Sequence, residues 1–128
     1  MQDFISQIGR WGEVWVNEML KKKHAKNRDH ITVEWMNEQG ESGLPFDFKI
    51  VEGDRVDFIE VKSTIRANQE SFPVSYNELM FAQDNQDNFH IYRLYNAGSD
   101  DPTRVELKII SQIPRLLNTH GLSLFIVI

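Results

Sequence analysis

Apolar residues recur at spacings of three and four along the first part of the chain: Phe4, Ile5, Ile8, Trp11, Trp15, Val16, Met19 and Leu20. This period predicts a helix over residues 2–23, ended by the basic stretch 21–30. Beyond it the pattern shortens to strand-like runs. His30–Met36 (HITVEWM) predicts a strand, followed by a polar loop, residues 37–43, holding two glycines. Residues 44–63 carry two apolar-rich strands joined at Glu52-Gly53-Asp54-Arg55, and residues 64–74 are polar and irregular. Ser75-Tyr76-Asn77-Glu78 has the form of a capping box and predicts a short helix to about residue 83. Strands follow at 89–95 (FHIYRLY), 105–110 and 122–128 (LSLFIVI), with about one helical turn near Pro114 before the last. The fold class is therefore α/β (α+β), with a central mixed β-sheet flanked by helices.

The hairpin at 44–63 holds the most specific chemistry. Gly53-Asp54 suits a two-residue type II′ turn, which takes Gly at its first central position. In that register the positions of each pair sum to 107, and Asp47 stands opposite Glu60. Opposed residues have Cβ atoms about 4.5–5.5 Å apart, and like charges there destabilise a sheet. A divalent cation would offset the repulsion. Lys62 shares the face of Glu60, because strand side chains alternate.

Hard cations such as Mg²⁺ or Mn²⁺ take one or two carboxylates with waters and substrate phosphate. Asp47 and Glu60 supply that set, with the Val61 carbonyl as a third metal ligand. Lys62 is placed to orient water or neutralise charge developing on a phosphate. All of this depends on the hairpin register, since a one-residue slip turns either carboxylate to the other face. Glu13, at the edge of the first helix's apolar stripe, has two readings: a further catalytic residue facing the sheet, or a solvated helix-edge glutamate.

Composition narrows the classes. At 128 residues the chain fits one domain, residues 1–128, and its 41% hydrophobic and 26% charged content is that of a folded globular protein. With no cysteine it has no disulfide and no thiolate metal site, which agrees with a reducing cytoplasm. No apolar run reaches the roughly 20 residues of a membrane span, and the N-terminus lacks the pattern of a signal peptide. Net charge is −5, against the basic balance usual in nucleic-acid binders, although Lys21, Lys22, Lys23, Lys26 and Arg28 cluster within eight positions. That cluster is read first as a helix end complementing the dipole, ahead of a DNA contact. The four histidines show no metal-ligand spacing, and His90 is read as a satisfied or partly exposed strand residue. Trp11, Trp15 and Trp35 are assigned to the core. Tyr92 and Arg93 point to opposite sides of their strand, so one of them faces the site. The apolar chain end suggests a domain that is part of, or fused to, something larger.

Pro45-Phe46-Asp47 followed by Glu60-Val61-Lys62 resembles the motif of the PD-(D/E)xK nuclease superfamily, with Phe46 inserted between the Pro and the Asp. Gly9-Arg10-Trp11-Gly12-Glu13, Glu34-Trp35-Met36-Asn37, the run Ile59 to Thr64, Ser75 to Glu78 and Ile91 to Asn96 are similar to the domain named after the C-terminal part of the plant protein NO VEIN. The resemblance covers residues 8–96 and implies a restriction-endonuclease-like fold, with Glu13, Asp47, Glu60 and Lys62 in catalytic positions. It also implies DNA as partner and a fused or separate helicase- or restriction-type domain. The expected activity is Mg²⁺- or Mn²⁺-dependent hydrolysis of DNA phosphodiester bonds in restriction, defence or repair. The alternative is a catalytically inactive DNA- or protein-binding module on the same fold.

Overall fold

The computed structural model describes residues 2–125. Helix α1 (Gln2–Lys23) carries Asp3 in its first turn and Lys21, Lys22 and Lys23 in its last, charges that complement the helix dipole at both ends. Strands β1 (Ile31–Trp35), β2 (Phe48–Glu52) and β3 (Arg55–Ser63) follow, then α2 (Tyr76–Asp84), β4 (Phe89–Tyr95), β5 (Glu106–Ser111) and α3 (Ile113–Asn118). Two single 3₁₀ turns lie at Ala25–Asn27 and Pro102–Arg104. The five strands form one mixed sheet in the order β1-β2-β3-β4-β5. Only the β3–β4 pair is parallel, and α2 makes the crossover that a parallel pair requires.

The β2–β3 register is the expected one: Phe48 pairs with Ile59 and Glu52 with Arg55, so each pair sums to 107. Gly53 has φ +60° while Asp54 keeps a negative φ, the signature of a type II′ loop. Ser75 caps α2 by accepting from the Glu78 N–H, and Glu78 returns the bond to the Ser75 N–H.

Each face of the sheet has its own apolar layer. On one side Val16 and Leu20 of α1 pack against Phe48, Ile59, Tyr92 and Leu94, with Trp15 and Trp35 at the margin. On the other, Phe46, Ala82, Phe89, Ile91, Ile110 and Ile113 lie under α2 and α3. Burying a side chain such as Leu20 or Phe48 completely stabilises the fold by about 2 kcal/mol. Trp15 and Trp35 are core-packed as expected, and Trp11 is half-buried.

The expected last strand, residues 122–128, is not formed where the structure describes it. Gly121 and Leu122 both donate backbone N–H groups to the Leu116 carbonyl, at 2.7 and 3.1 Å, so the chain turns back to close α3 instead of joining the sheet. Leu122 packs into the α2–α3 layer, while Leu124 and Phe125 stay exposed. Residues 126–128 of that expectation lie outside the described residues. The fifth strand runs one residue later than expected, because the Val105 N–H is taken by the Pro102 carbonyl.

Two glycines of α1 differ in what surrounds them. A Cβ on Gly12 would collide with the Ser63 hydroxyl of β3, whereas one on Gly9 meets nothing within 4 Å. Both gain the same helix propensity on replacement by alanine, about 1 kcal/mol. Gly9→Ala should therefore raise stability by up to that amount. Gly12→Ala should cost about 1–3 kcal/mol through overpacking. Urea denaturation of the two variants checks this, and equal effects would mean that α1 does not rest closely on β3.

Candidate functional site

The site forms where β2 ends before β3 does. Phe48 is the first residue of β2, so Glu60, Val61, Lys62 and Ser63 run on with only β4 as a strand partner. Asp47, one residue outside β2, covers the free edge in two ways. Its N–H donates to the Ile59 carbonyl at 2.8 Å. Its Oδ2 accepts from the Val61 N–H at 2.8 Å, standing in for a ladder acceptor. The N–H and C=O of one strand residue face the same neighbour, so the Val61 carbonyl stands on the side of Asp47.

Asn37, in the loop after β1, ties two further elements to this point. Its Nδ2 donates to Asp47 Oδ1 at 2.7 Å and to Glu13 Oε1 at 3.0 Å. Glu13 Oε1 also accepts from Trp35 Nε1 at 3.0 Å. Arg10 holds the loop from α1, donating to the Asn37 and Glu38 carbonyls at 2.6 and 3.0 Å with its guanidinium over the Trp35 ring. Glu13 thus lies buried against the sheet, not on a solvated helix edge, and reaches Asp47 through one amide.

Lys62 sits on the same face as Glu60. Its Nζ lies 3.3 Å from Glu60 Oε2 and 2.9 Å from Glu78 Oε1. Glu78 was legible in the sequence only as the capping residue of α2; the structure gives it a second partner. Asn37 likewise had no assigned role, because its position between two carboxylates arises from folding. A Glu at the third position of a helix that follows a strand lysine is the one signal that could have suggested the Lys62 contact.

Arg93 pairs with Lys62 across β3–β4, on the face of Glu60. It is only 2% exposed and donates to the Gln69 and Ser71 carbonyls at 2.8 and 3.2 Å, between the rings of Phe72 and Tyr95. The guanidinium anchors the 64–74 loop. The basic cluster after residue 20 lies elsewhere: Lys23 is ten residues beyond Glu13, about 15 Å along the helix.

The electrostatics follow from burial. Desolvation, helped by the charge of Glu13, pushes the Asp47 carboxyl up to about 7 against the lowering effect of the Val61 N–H. Burial, a hydrogen bond with Glu78 and the charge of Asp47 push Glu60 up to about 11. For Glu78, burial pulls upward, but hydrogen bonds with Glu60 and Lys62 outweigh it and its carboxyl falls below the usual range. For Lys62, burial pulls downward, and the neighbouring Glu60 and Glu78 outweigh that and raise it, so its ammonium is retained.

Among the described residues no three His, Cys, Asp or Glu side chains converge as a metal cage. The donors at this point are two carboxylates and a carbonyl, a set that fits a hard divalent cation completed by water and substrate oxygens. Asp47, Glu60 and Val61 would hold it.

With the site's geometry in place, the sequence comparisons decide the family. The family described as Protein NO VEIN, C-terminal, matches residues 12–110. The chain belongs to it. The chain is 30% identical over 95 residues to Protein NO VEIN of Arabidopsis thaliana and 31% identical over 95 residues to Protein NO VEIN-LIKE of the same plant. Each match covers 73% of this chain but only 3% and 14% of the plant proteins. The match takes in Glu13, Asp47, Glu60, Lys62 and Glu78. No solved structure matches the chain significantly, and no helix among the described residues is long and apolar enough to cross a membrane.

A carboxyl whose folded pKa lies above its unfolded value of 3.8 favours folding most while it is protonated. In metal-free buffer the Asp47 contribution should be full below about pH 4 and be lost as pH rises through 7. At about 1.36 kcal/mol per pKa unit the loss is on the order of 4 kcal/mol. Melting temperature in chelator should fall over that window, and Asp47→Asn should flatten the fall. An unchanged slope in Asp47→Asn would show that Asp47 does not carry it.

Proposed function

We propose that this domain is a divalent-metal-dependent DNA endonuclease of the PD-(D/E)xK, restriction-endonuclease-like type, hydrolysing phosphodiester bonds. The single observation that carries the reading is the gathering of Asp47, Glu60 and Lys62 at the point where β2 leaves β3. The excess of buried carboxyl groups over cations supports a resident Mg²⁺ or Mn²⁺. Bound there, such an ion supplies an acidified water and polarises a phosphoryl oxygen.

The chain's own residues have separate tasks in this reading. Asp47 is fixed in rotamer by Asn37 and Val61, so its carboxylate is preorganised. Glu60, which holds a proton in the absence of metal, would ligate the cation once that proton is released. Lys62 remains an ammonium and so donates hydrogen bonds without acting as a base; it would hold a non-bridging phosphate oxygen or the attacking water as negative charge grows. Glu78 and the α2 cap keep Lys62 from swinging away. Glu13 acts through Asn37 by holding the loop against Asp47.

We further propose that the domain works in a reducing cytoplasm, with target choice supplied by a fused or separate helicase- or restriction-type partner. The small share of the plant relatives that it covers is in keeping with a module. The second reading, an inactive DNA- or protein-binding module, is favoured by one observation: Lys62 is already engaged by Glu60 and Glu78.

Two measurements separate the readings. Supercoiled plasmid with excess domain and Mg²⁺ or Mn²⁺ should be nicked, and Asp47→Ala or Lys62→Ala should lower the rate by about 10²-fold or more. Calorimetric titration should detect Mg²⁺ uptake that Glu60→Gln abolishes. Glu60→Gln resembles the protonated acid, so it should leave the metal-free melting temperature near that of the wild type at neutral pH. Metal uptake without nicking supports the binding module, and neither metal uptake nor nicking rejects the metal site.

A further inference from the structure

A second polar constellation lies on the opposite face of the sheet, beside α1 and toward the hairpin loop. There His90 of β4 stands opposite Ser111 of β5, and Asp57 of β3 lies diagonally across on its other side. Ser111 Oγ is 2.6 Å from His90 Nδ1, and Asp57 Oδ1 is 3.1 Å from His90 Nε2. Arg55 Nε donates to the other oxygen of Asp57 at 2.9 Å. These groups line a cavity of about 350 Å³ whose apolar lining comes from Ile31, Ile50, Ile59 and Ile109. That volume lies at the lower end of the range of small-molecule sites.

The hydrogen bonds fix the direction of the protons. A carboxylate only accepts, so His90 Nε2 carries a proton and donates it to Asp57. In the neutral ring Nδ1 is then an acceptor, and at 2.6 Å the Ser111 hydroxyl donates to it. A serine hydroxyl donating to an imidazole, itself oriented by a carboxylate, is the arrangement that makes a hydroxyl nucleophilic. The roles of the two ring nitrogens are exchanged relative to the chymotrypsin triad, but the logic does not depend on which nitrogen is the base. All three groups are half-buried, with His90 and Asp57 side chains 19% and 17% exposed, so the relay is sheltered yet reachable from the cavity. A ladder that merely tied three strands together would need no cavity beside it and no apolar lining.

We infer that Ser111, His90 and Asp57 form a nucleophilic site separate from the carboxylate site, which accepts small esters with a short apolar acyl group. The isoleucines take the acyl chain. Ser111 Oγ bonds to the acyl carbon while its proton passes to His90 Nδ1. The ester C–O bond then breaks, and that proton leaves with the alcohol. Water attacks the acyl-Ser111 ester, gives its proton to Nδ1, and releases the carboxylic acid as Ser111 regains its hydroxyl proton. Lys23 and Tyr92, which also line the cavity, are the donors available to the carbonyl oxygen.

The test uses the full chain with a fluorophosphonate probe and, separately, 4-nitrophenyl butyrate. The expected result is a probe adduct on Ser111 by peptide mass spectrometry, needing no mutation. Release of 4-nitrophenolate should fall about 10²-fold in Ser111→Ala and in His90→Gln, with melting temperatures confirming folded variants. Ester hydrolysis should be the same with and without a metal chelator, which keeps this site's outcome independent of the nuclease. Absence of a Ser111 adduct, or hydrolysis undiminished in Ser111→Ala, overturns the inference and leaves the three residues as a cross-strand ladder.

Discussion

The hydrogen bond from the Val61 N–H to Asp47 Oδ2 is the contact on which the carboxylate end of the molecule depends. A strand that outruns its neighbour leaves edge groups unsatisfied, and buried backbone donors without partners are costly. Here a side chain one residue before β2 takes the place of the missing ladder acceptor. The strands therefore separate without an orphaned N–H at Val61, and the gap they leave is lined by carboxylate oxygen. Asn37 then fixes the other Asp47 oxygen and draws Glu13 of α1 toward it. Four segments that are distant in the chain meet through two side chains.

The same arrangement explains why the neighbourhood is electrostatically strained. Glu13, Asp47 and Glu60 are each less than a tenth exposed, and Glu78 is close by, while Lys62 supplies the one ammonium among them. Burying a carboxylate without a countercharge is expensive, so in the absence of a cation a proton takes its place. Burial outweighs the attraction of Lys62 at Glu60, whose carboxyl therefore rises, whereas at the less buried Glu78 hydrogen bonds with Glu60, Lys62 and the Ser75 N–H outweigh burial. The balance differs over a few ångströms because burial does.

Much of the fold was legible because local rules agreed with the tertiary structure. The three- and four-residue spacing located α1, the Gly53-Asp54 pair fixed the hairpin and its register, and the capping box started α2. The apolar run at 122–125 misled because hydrophobicity alone cannot distinguish a strand from a tail that folds back over a helix. The Leu116 carbonyl claimed the backbone first. At the site, Asp47, Glu60 and Lys62 could be placed on one face by alternation. Asn37 and the Lys62–Glu78 pair could not, because they depend on where a loop and a crossover helix come to rest.

Asn37 uses every hydrogen-bonding position of its side chain: two N–H donors on carboxylates, and one oxygen accepting from both the N–H and the hydroxyl of Ser42. No other residue of that length offers two donors on one arm and a double acceptor on the other. An aspartate of the same shape at this position would remove both donors and set a third acidic group between Glu13 and Asp47. The carboxylate centre thus leans on a neutral residue outside the Asp-Glu-Lys set, whose two N–H groups do for Glu13 and Asp47 what no acid of equal length could.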